Sequence, residues 1–253
     1  MISTVDPERL PGALIKALQQ AERIVALSGA GLSAESGIPT FREAQTGLWA
    51  KHDPMTLASP EGFARQPELV WQWYQWRRSL VAQSQPNAGH RALVELERRR
   101  PETRLITQNV DGLQQTAGSA QVLELHGNLK RTICSQTGKE IGEQWLARHS
   151  DIQPPPSPHH PEGRARPDVV WFGEALNHDT LQQAIEASQH CDLMLVIGTS
   201  GLVHPAASLP LLGREHGARL IEVNPQTTAL SEQVDWHWPQ TSAVALPRLI
   251  DAL

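Results

Sequence analysis

This sequence predicts a doubly wound parallel α/β sheet, Rossmann-like, with a smaller lobe formed by two insertions. Three observations carry that expectation. Short apolar runs recur at 24–27, 105–107, 193–198 and 220–223. Helical patterns such as 88–100, 178–190 and 205–217 stand between or beside them, and strands that alternate with helices pair in parallel. The first run ends in Ser28-Gly29-Ala30-Gly31, a glycine turn of the kind that joins a buried strand to a helix.

In chain order, Asp6 before Pro7 reads as an N-cap and first helical position, with Leu10, Leu14 and Leu18 at helical spacing, so a helix is expected near 7–21. The strand at 24–27 follows. Residues 39–82 hold helices and no convincing strand; Ser59 and Pro60 open one helix, and another runs from Pro67 onward. The helix at 88–100 leads to the strand at 105–107. Residues 129–167 read as irregular, since five prolines and two histidines fall between Pro154 and Pro161. From there the strand and helix alternation resumes to the end. The large domain is therefore expected at about 1–38, 83–128 and 168–253, and the small lobe at about 39–82 and 129–167. No internal repeat is visible.

Composition bounds the function. The chain has 253 residues, 40% hydrophobic and 19% charged, which suits a folded unit with a sizeable core rather than a disordered one. Net charge is −5 and no basic run exceeds Arg98-Arg99-Arg100, so nucleic acid is not an expected partner. No stretch of ~18 apolar residues occurs, and the first twelve residues lack an apolar segment with a basic flank. The expectation is a cytoplasmic protein with no membrane partner. Cys134 and Cys191 form neither a disulfide framework nor a CxxC pair.

Gly29-Ala30-Gly31-Leu32-Ser33-Ala34 fits the dinucleotide fingerprint in its required place after a strand. Glycines there let backbone approach a pyrophosphate, although a tight strand-to-helix turn alone would also use them. The acidic ribose-binding residue expected after a second strand is missing, which argues against a hydride-transferring dehydrogenase.

The longer stretch from Gly29 through Ser36-Gly37-Ile38-Pro39-Thr40-Phe41-Arg42 resembles the signature of the sirtuins, the NAD-dependent protein-lysine deacylases. Thr107-Gln108-Asn109-Val110-Asp111-Gly112-Leu113, His126-Gly127, the segment from Arg166-Pro167 to Phe172-Gly173-Glu174, the segment from Gly198-Thr199-Ser200 to Ala207, and Val223-Asn224-Pro225 resemble further sirtuin motifs in the family's order. The resemblance implies one catalytic unit that transfers an acyl group from lysine to ADP-ribose and releases nicotinamide. It implies His126 as the general base acting on a ribose hydroxyl, with Asn109 and Asp111 holding the nicotinamide and its ribose. NAD would further be bound by Gly29, Ala30, Gly31, Ser33, Phe41, Arg42, Gln108, Gly198, Thr199, Ser200, Asn224 and Pro225, with Phe41 and Arg42 on a closing loop. Phe172, Gly173, Glu174 and Val203 would flank an extended peptide by strand addition. The implied partners are acylated lysine side chains of proteins.

Tyr74 and Arg77 stand at i and i+3 on the helix from Pro67 and share a face. In the sirtuin class that removes succinyl and malonyl groups, a Tyr-x-x-Arg pair binds the acyl carboxylate, and Ala58 falls where that class keeps a small residue. An arginine fork and a phenol suit a carboxylate well. Two departures stand out. Most sirtuins hold zinc on four cysteines in two CxxC-like pairs, whereas Cys134 is followed by Thr137 and the second region offers His159 and His160. Cys134, His159 and His160 could supply three ligands, but no fourth suggests itself and adjacent histidines point apart in an extended chain, so no metal is expected and the lobe is expected to be held by proline-stiffened packing. The loop after Arg42 is also one residue longer, around Glu43 to Thr46. ADP-ribosyl transfer, NAD hydrolysis and non-catalytic NAD sensing stay open as alternatives on the same motifs.

Overall fold

The computed structural model describes residues 3–6, 9–40 and 49–253. Its strands are β1 (Ser3–Thr4), β2 (Ile24–Ser28), β3 (Arg104–Thr107), β4 (Val122–Glu124), β5 (Gly127–Cys134), β6 (Ala165–Val169), β7 (Leu193–Ile197), β8 (Arg219–Val223) and β9 (Trp236–Trp238). Its helices are α1 (Gly12–Gln20), α2 (Gly31–Ala34), α3 (Pro54–Leu57), α4 (Pro60–Arg65), α5 (Pro67–Gln83), α6 (Ala88–Arg99), α7 (Leu113–Ala117), α8 (Glu143–Arg148), α9 (His178–His190), α10 (Leu209–Glu215) and α11 (Ser242–Asp251).

Seven strands form one parallel sheet in the order β1-β9-β8-β7-β2-β3-β4, and β5 pairs antiparallel with β6. After β2 the chain moves outward through β3 and β4, then returns to lay β7 on the other side of β2. That reversal makes the β2/β7 boundary the switch point of the sheet, the place where such folds bind ligands. Both strands are buried at all five positions because helices cover both faces. Ile24, Ala26, Leu195 and Ile197 face Leu14 and Leu18 of α1, Leu93 and Leu96 of α6 and Leu246 and Leu249 of α11. Val25, Leu27, Met194 and Val196 face α9 and α10 through Ala184 and Leu209. The alternation is the two-residue period of a strand.

A separate aromatic core joins α3, α4 and α5 to β5 and β6. Leu57, Phe63, Val70, Trp73 and Tyr74 pack with Leu113, Leu129, Val169 and Trp171. Ser59 caps α4 by accepting from the Gly62 amide at 3.0 Å, with Pro60 following, as its sequence indicates.

Three expectations are corrected. The first helix starts at Gly12, with Pro11 as its N-cap, not at 7. A helix begun at Pro7 would have placed Pro11 inside it, where the missing N–H and the ring clash break the ladder. Residues 129–167 are not irregular throughout: β5 runs to Cys134, α8 follows, and β6 begins at Ala165. The helix expected at 205–217 is a 3-10 turn at Ala206–Ser208 followed by α10, whose first turn accommodates Pro210 without needing its amide.

Candidate active site

The C-terminal ends of β2 and β7 turn side by side. The Gly29 amide donates to the Ile197 carbonyl and the Gly31 amide to that of Gly198, both at 2.8 Å. A Cβ on Gly31 would lie 2.6 Å from the Gly198 Cα, and Gly198 itself has a left-handed φ of 56°. Backbone lies on backbone here, so these glycines serve the crossing of two turns as well as any ligand.

Side chains lace the strand ends together. Gln108, after β3, donates from Nε2 to Thr199 Oγ1 at 3.0 Å, and Asn224, after β8, donates from Nδ2 to the Thr199 carbonyl at 3.0 Å. Asn109 Nδ2 donates to the Gly29 carbonyl at 3.0 Å and to Ser33 Oγ at 3.3 Å. Ser33 Oγ donates to Asp111 Oδ2 at 2.7 Å, while Oδ1 accepts the Leu113 amide at 2.8 Å. Gln108, Asn109, Asp111, Ser33, Gly29, Gly31, Gly198, Thr199 and Asn224 are thus brought together. Ala30 opens α2 beside them, and Ser200 and Pro225 lie exposed at the edge. Phe41, Arg42 and the Glu43 to Thr46 segment lie outside the described residues.

His126 sits where the chain passes from β4 to β5. Its Nδ1 lies 3.0 Å from the Gln108 carbonyl. A carbonyl only accepts, so this partner assigns the proton to Nδ1 and leaves the Nε2 lone pair to act as a base. Burial pushes the imidazole below its usual 6.5, only partly offset by that hydrogen bond, so it is neutral at pH 7. Gly127 fixes the position: with φ 79°, its Cβ would fall 2.1 Å from the Asp168 carbonyl oxygen.

His90 was not singled out in the sequence. Fully buried at the start of α6, it accepts the Asn87 amide at Nδ1 in a capping box, which leaves Nε2–H directed at Ser33 Oγ, 3.4 Å away. The signal was available in Asn87-Ala-Gly-His90 ahead of an apolar helix.

On α5, Tyr74 is 1% exposed and Arg77 lies one turn on, its guanidinium 5.9 Å from the Trp73 ring. Burial lowers the Arg77 pKa while the fields of Tyr74 and Asp111 support its charge. Burial likewise raises the Tyr74 phenol to about 12, so it remains protonated. The Ala58 carbonyl accepts the Phe172 amide at 2.9 Å, joining the small residue to the 171–174 turn. Phe172 and Val203 stand exposed, Gly173 turns with φ 89°, and Glu174 spends its carboxylate on Arg166 and the Trp171 amide.

A family model described as the Sir2 family matches residues 29–205. The chain belongs to the Sir2 family. An NAD-dependent protein deacylase of Aquifex aeolicus is 48% identical over 230 residues, 91% of this chain and 95% of the relative, and one of Ralstonia nicotianae is 45% identical over 240 residues, 92% and 93%. Among solved structures, a Sir2 homologue with NAD superposes at TM-score 0.89 with 39% identity, covering 99% of this chain and 95% of its own. A Sir2 homologue variant with 2′-O-acetyl ADP-ribose gives 0.85 and 41%, with 96% of each chain covered.

The zinc implied by the Sir2 resemblance finds a different donor set. Cys134 and Thr137 on one turn face Ser157 and His160 on another, across Gly163, where a Cβ would fall 2.7 Å from Cys134 Sγ, 3.0 Å from Ser157 Cβ and 3.2 Å from His160 Cβ. The second pair is therefore Ser157-x-x-His160 rather than His159 with His160. His159 donates from Nε2 to the Glu140 carbonyl at 2.7 Å. One thiol, two hydroxyls and an imidazole do not match zinc's thiolate and imidazole preference. Among the described residues no three His, Cys, Asp or Glu side chains gather as a metal group. Burial works to raise the Cys134 pKa, but hydrogen bonds with Ser157, Thr137 and the Gln136 and Thr137 amides bring it down to about 7.

Proposed function

We propose that this Sir2 family member is an NAD-dependent protein-lysine deacylase with a preference for acidic acyl groups such as succinyl and malonyl. The coarser activity follows from its family and from relatives of that name over nearly their whole length. A propionylated peptide is bound by another Sir2 structure, at TM-score 0.83 and 30% identity, which supports acyl-lysine as the substrate class.

The cleft residues fit NAD: a glycine crossing at the switch point, surrounded by amide, hydroxyl and carboxylate groups. Gly29, Ala30, Gly31, Ser33, Thr199, Ser200 and Asn224 would hold it, with Asn109 and Asp111 at its nicotinamide end. When bound, NAD supplies the ribose carbon that accepts the acyl oxygen as nicotinamide departs. His126, held in the right tautomer by the Gln108 carbonyl, would take a proton from a ribose hydroxyl at Nε2. Phe172 and Val203 offer apolar surface for an extended peptide.

One observation carries the acidic-acyl reading. On one face of α5 Tyr74 is buried and Arg77 half-buried, burial lowers the guanidinium's pKa despite the fields of Tyr74 and Asp111, and a ligand carboxylate would offset that cost. Acetyl-, succinyl- and malonyl-lysine peptides incubated with NAD test it by nicotinamide and O-acyl-ADP-ribose formation. Tyr74→Phe and Arg77→Met should each lower the ratio of desuccinylation to deacetylation; an unchanged ratio refutes the preference. Nicotinamide release independent of peptide would instead favour NAD hydrolysis.

A further inference from the structure

The hydroxyl of Tyr74 has one proton to give and two lone pairs to receive with. Trp171 Nε1 lies 2.9 Å away, and an indole N–H can only donate. The phenol's own proton is therefore not used in this contact. Held as an acceptor on the Trp171 side, the hydroxyl presents its proton elsewhere, and Arg77, one turn along α5, marks where a carboxylate would meet both groups.

Trp171 is itself fixed from several directions. It is 2% exposed, its amide donates to Glu174 Oε2 at 2.8 Å, and the Arg166 guanidinium sits 3.4 Å above its ring centroid. Arg166 holds both Glu174 oxygens, at 2.6 and 2.9 Å, and donates to the Val169 carbonyl at 2.8 Å. The Phe63 ring lies 5.3 Å away on its own side of the packing. With guanidinium, carboxylate and ring all engaged, the indole has little freedom to turn its N–H away from Tyr74.

We propose that Trp171 is a specificity-determining positioning residue: its indole N–H fixes the Tyr74 phenol as a hydrogen-bond donor toward the carboxylate of an acidic acyl chain at Arg77. This rests on the acidic-acyl reading. An acetyl group carries no second acceptor at that depth, so the device bears on succinyl- and malonyl-lysine and not on acetyl-lysine.

The test is Trp171→Phe, which keeps a ring and removes one N–H. KM for a succinyl-lysine peptide should rise about tenfold, the scale of one hydrogen bond to a charged ligand. The acetyl-lysine kcat/KM should move less than threefold, and the same substitution in a Tyr74→Phe background should add nothing. Trp171→His places an N–H two bonds from Cγ, as tryptophan does, and should recover most of the succinyl KM. Equal loss on both peptides, with no recovery by histidine, would make Trp171 merely structural and overturn the proposal. So would an unchanged succinyl KM in Trp171→Phe while Tyr74→Phe raises it, in which case the acidic-acyl reading stands. If Tyr74→Phe and Arg77→Met leave acyl preference unchanged, the reading itself fails and the proposal falls with it.

Discussion

Gly31→Ala sets two effects of known size against each other. Gly31 is the first residue of α2 and its φ is not left-handed, so alanine suits its backbone and helix propensity favours the change by about 1 kcal/mol. The added Cβ, however, would stand 2.6 Å from the Gly198 Cα, where ordinary contact begins at 3.4 Å. The two turns must part by about 0.8 Å, the difference between those distances. Gly198 resists, because its amide donates to the Val223 carbonyl at 2.9 Å and its carbonyl accepts the Gly31 amide at 2.8 Å. Overpacking of this kind costs about 1–3 kcal/mol, leaving a net loss of about 0–2 kcal/mol. At about 2–4 °C per kcal/mol for a chain of this size, Tm falls by up to about 8 °C. The kinetic effect is larger, since a shift of about 1 Å in a positioning element costs on the order of 100-fold in turnover. Gly12→Ala is the control: Gly12 is the first residue of α1 with nothing within 4 Å of its Cβ position, so Tm should hold or rise and kinetics stay put. Thermal melts and NAD-dependent turnover of both variants decide. If Gly31→Ala behaves like Gly12→Ala, the crossing is not what demands glycine.

Other outcomes follow from the same contacts. Because burial holds His126 below 6.5 and only its neutral form is a base, kcat/KM should fall as pH drops through a pKa under 6.5, as a pH–rate profile reads directly. The same shift makes stability decline as pH falls below 6.5, where the unfolded chain takes up this proton first; urea titrations across that range measure it, and unchanged stability would contradict burial of a neutral imidazole. Excess chelator should leave Tm unchanged and metal analysis should find no stoichiometric zinc; one bound equivalent would refute the reading of the Cys134, Thr137, Ser157 and His160 cluster as metal-free. Arg166→Met strands the Glu174 carboxylate and should cost about 3 kcal/mol by denaturant unfolding, the low end for a buried pair because Glu174 keeps 26% of its side chain exposed.

The sheet was legible because β2, β7 and β8 are apolar runs ended by glycine or asparagine, and the motif residues cluster at those ends. The short strands at and next to the sheet's edges were not. β1, β4 and β9 are two or three residues long, too short for any periodicity, and exist because a neighbouring strand already offers its ladder. α11 carries Pro247 inside it, a residue that in sequence argues against a helix. In the site, individual residues were readable from motif and spacing, whereas their partners were not: Ser33 to Asp111, Trp171 to Tyr74 and Arg166 to Glu174 depend on which turn folds against which. Glu174, expected at the substrate edge, also ties its own turn, a contact its motif does not reveal. The Ser157-x-x-His160 pair was not legible because it depends on two turns meeting across Gly163.

Gln108 joins Thr199 and His126 through different parts of one residue. Its side-chain amide is bonded to Thr199 on the nucleotide side, and its main-chain carbonyl orients the His126 ring. Under the proposed function, a cofactor that shifts Thr199 would act on the residue whose carbonyl sets the His126 tautomer. Filling the nucleotide cleft and holding the proton acceptor in its working state would then be coupled through one residue.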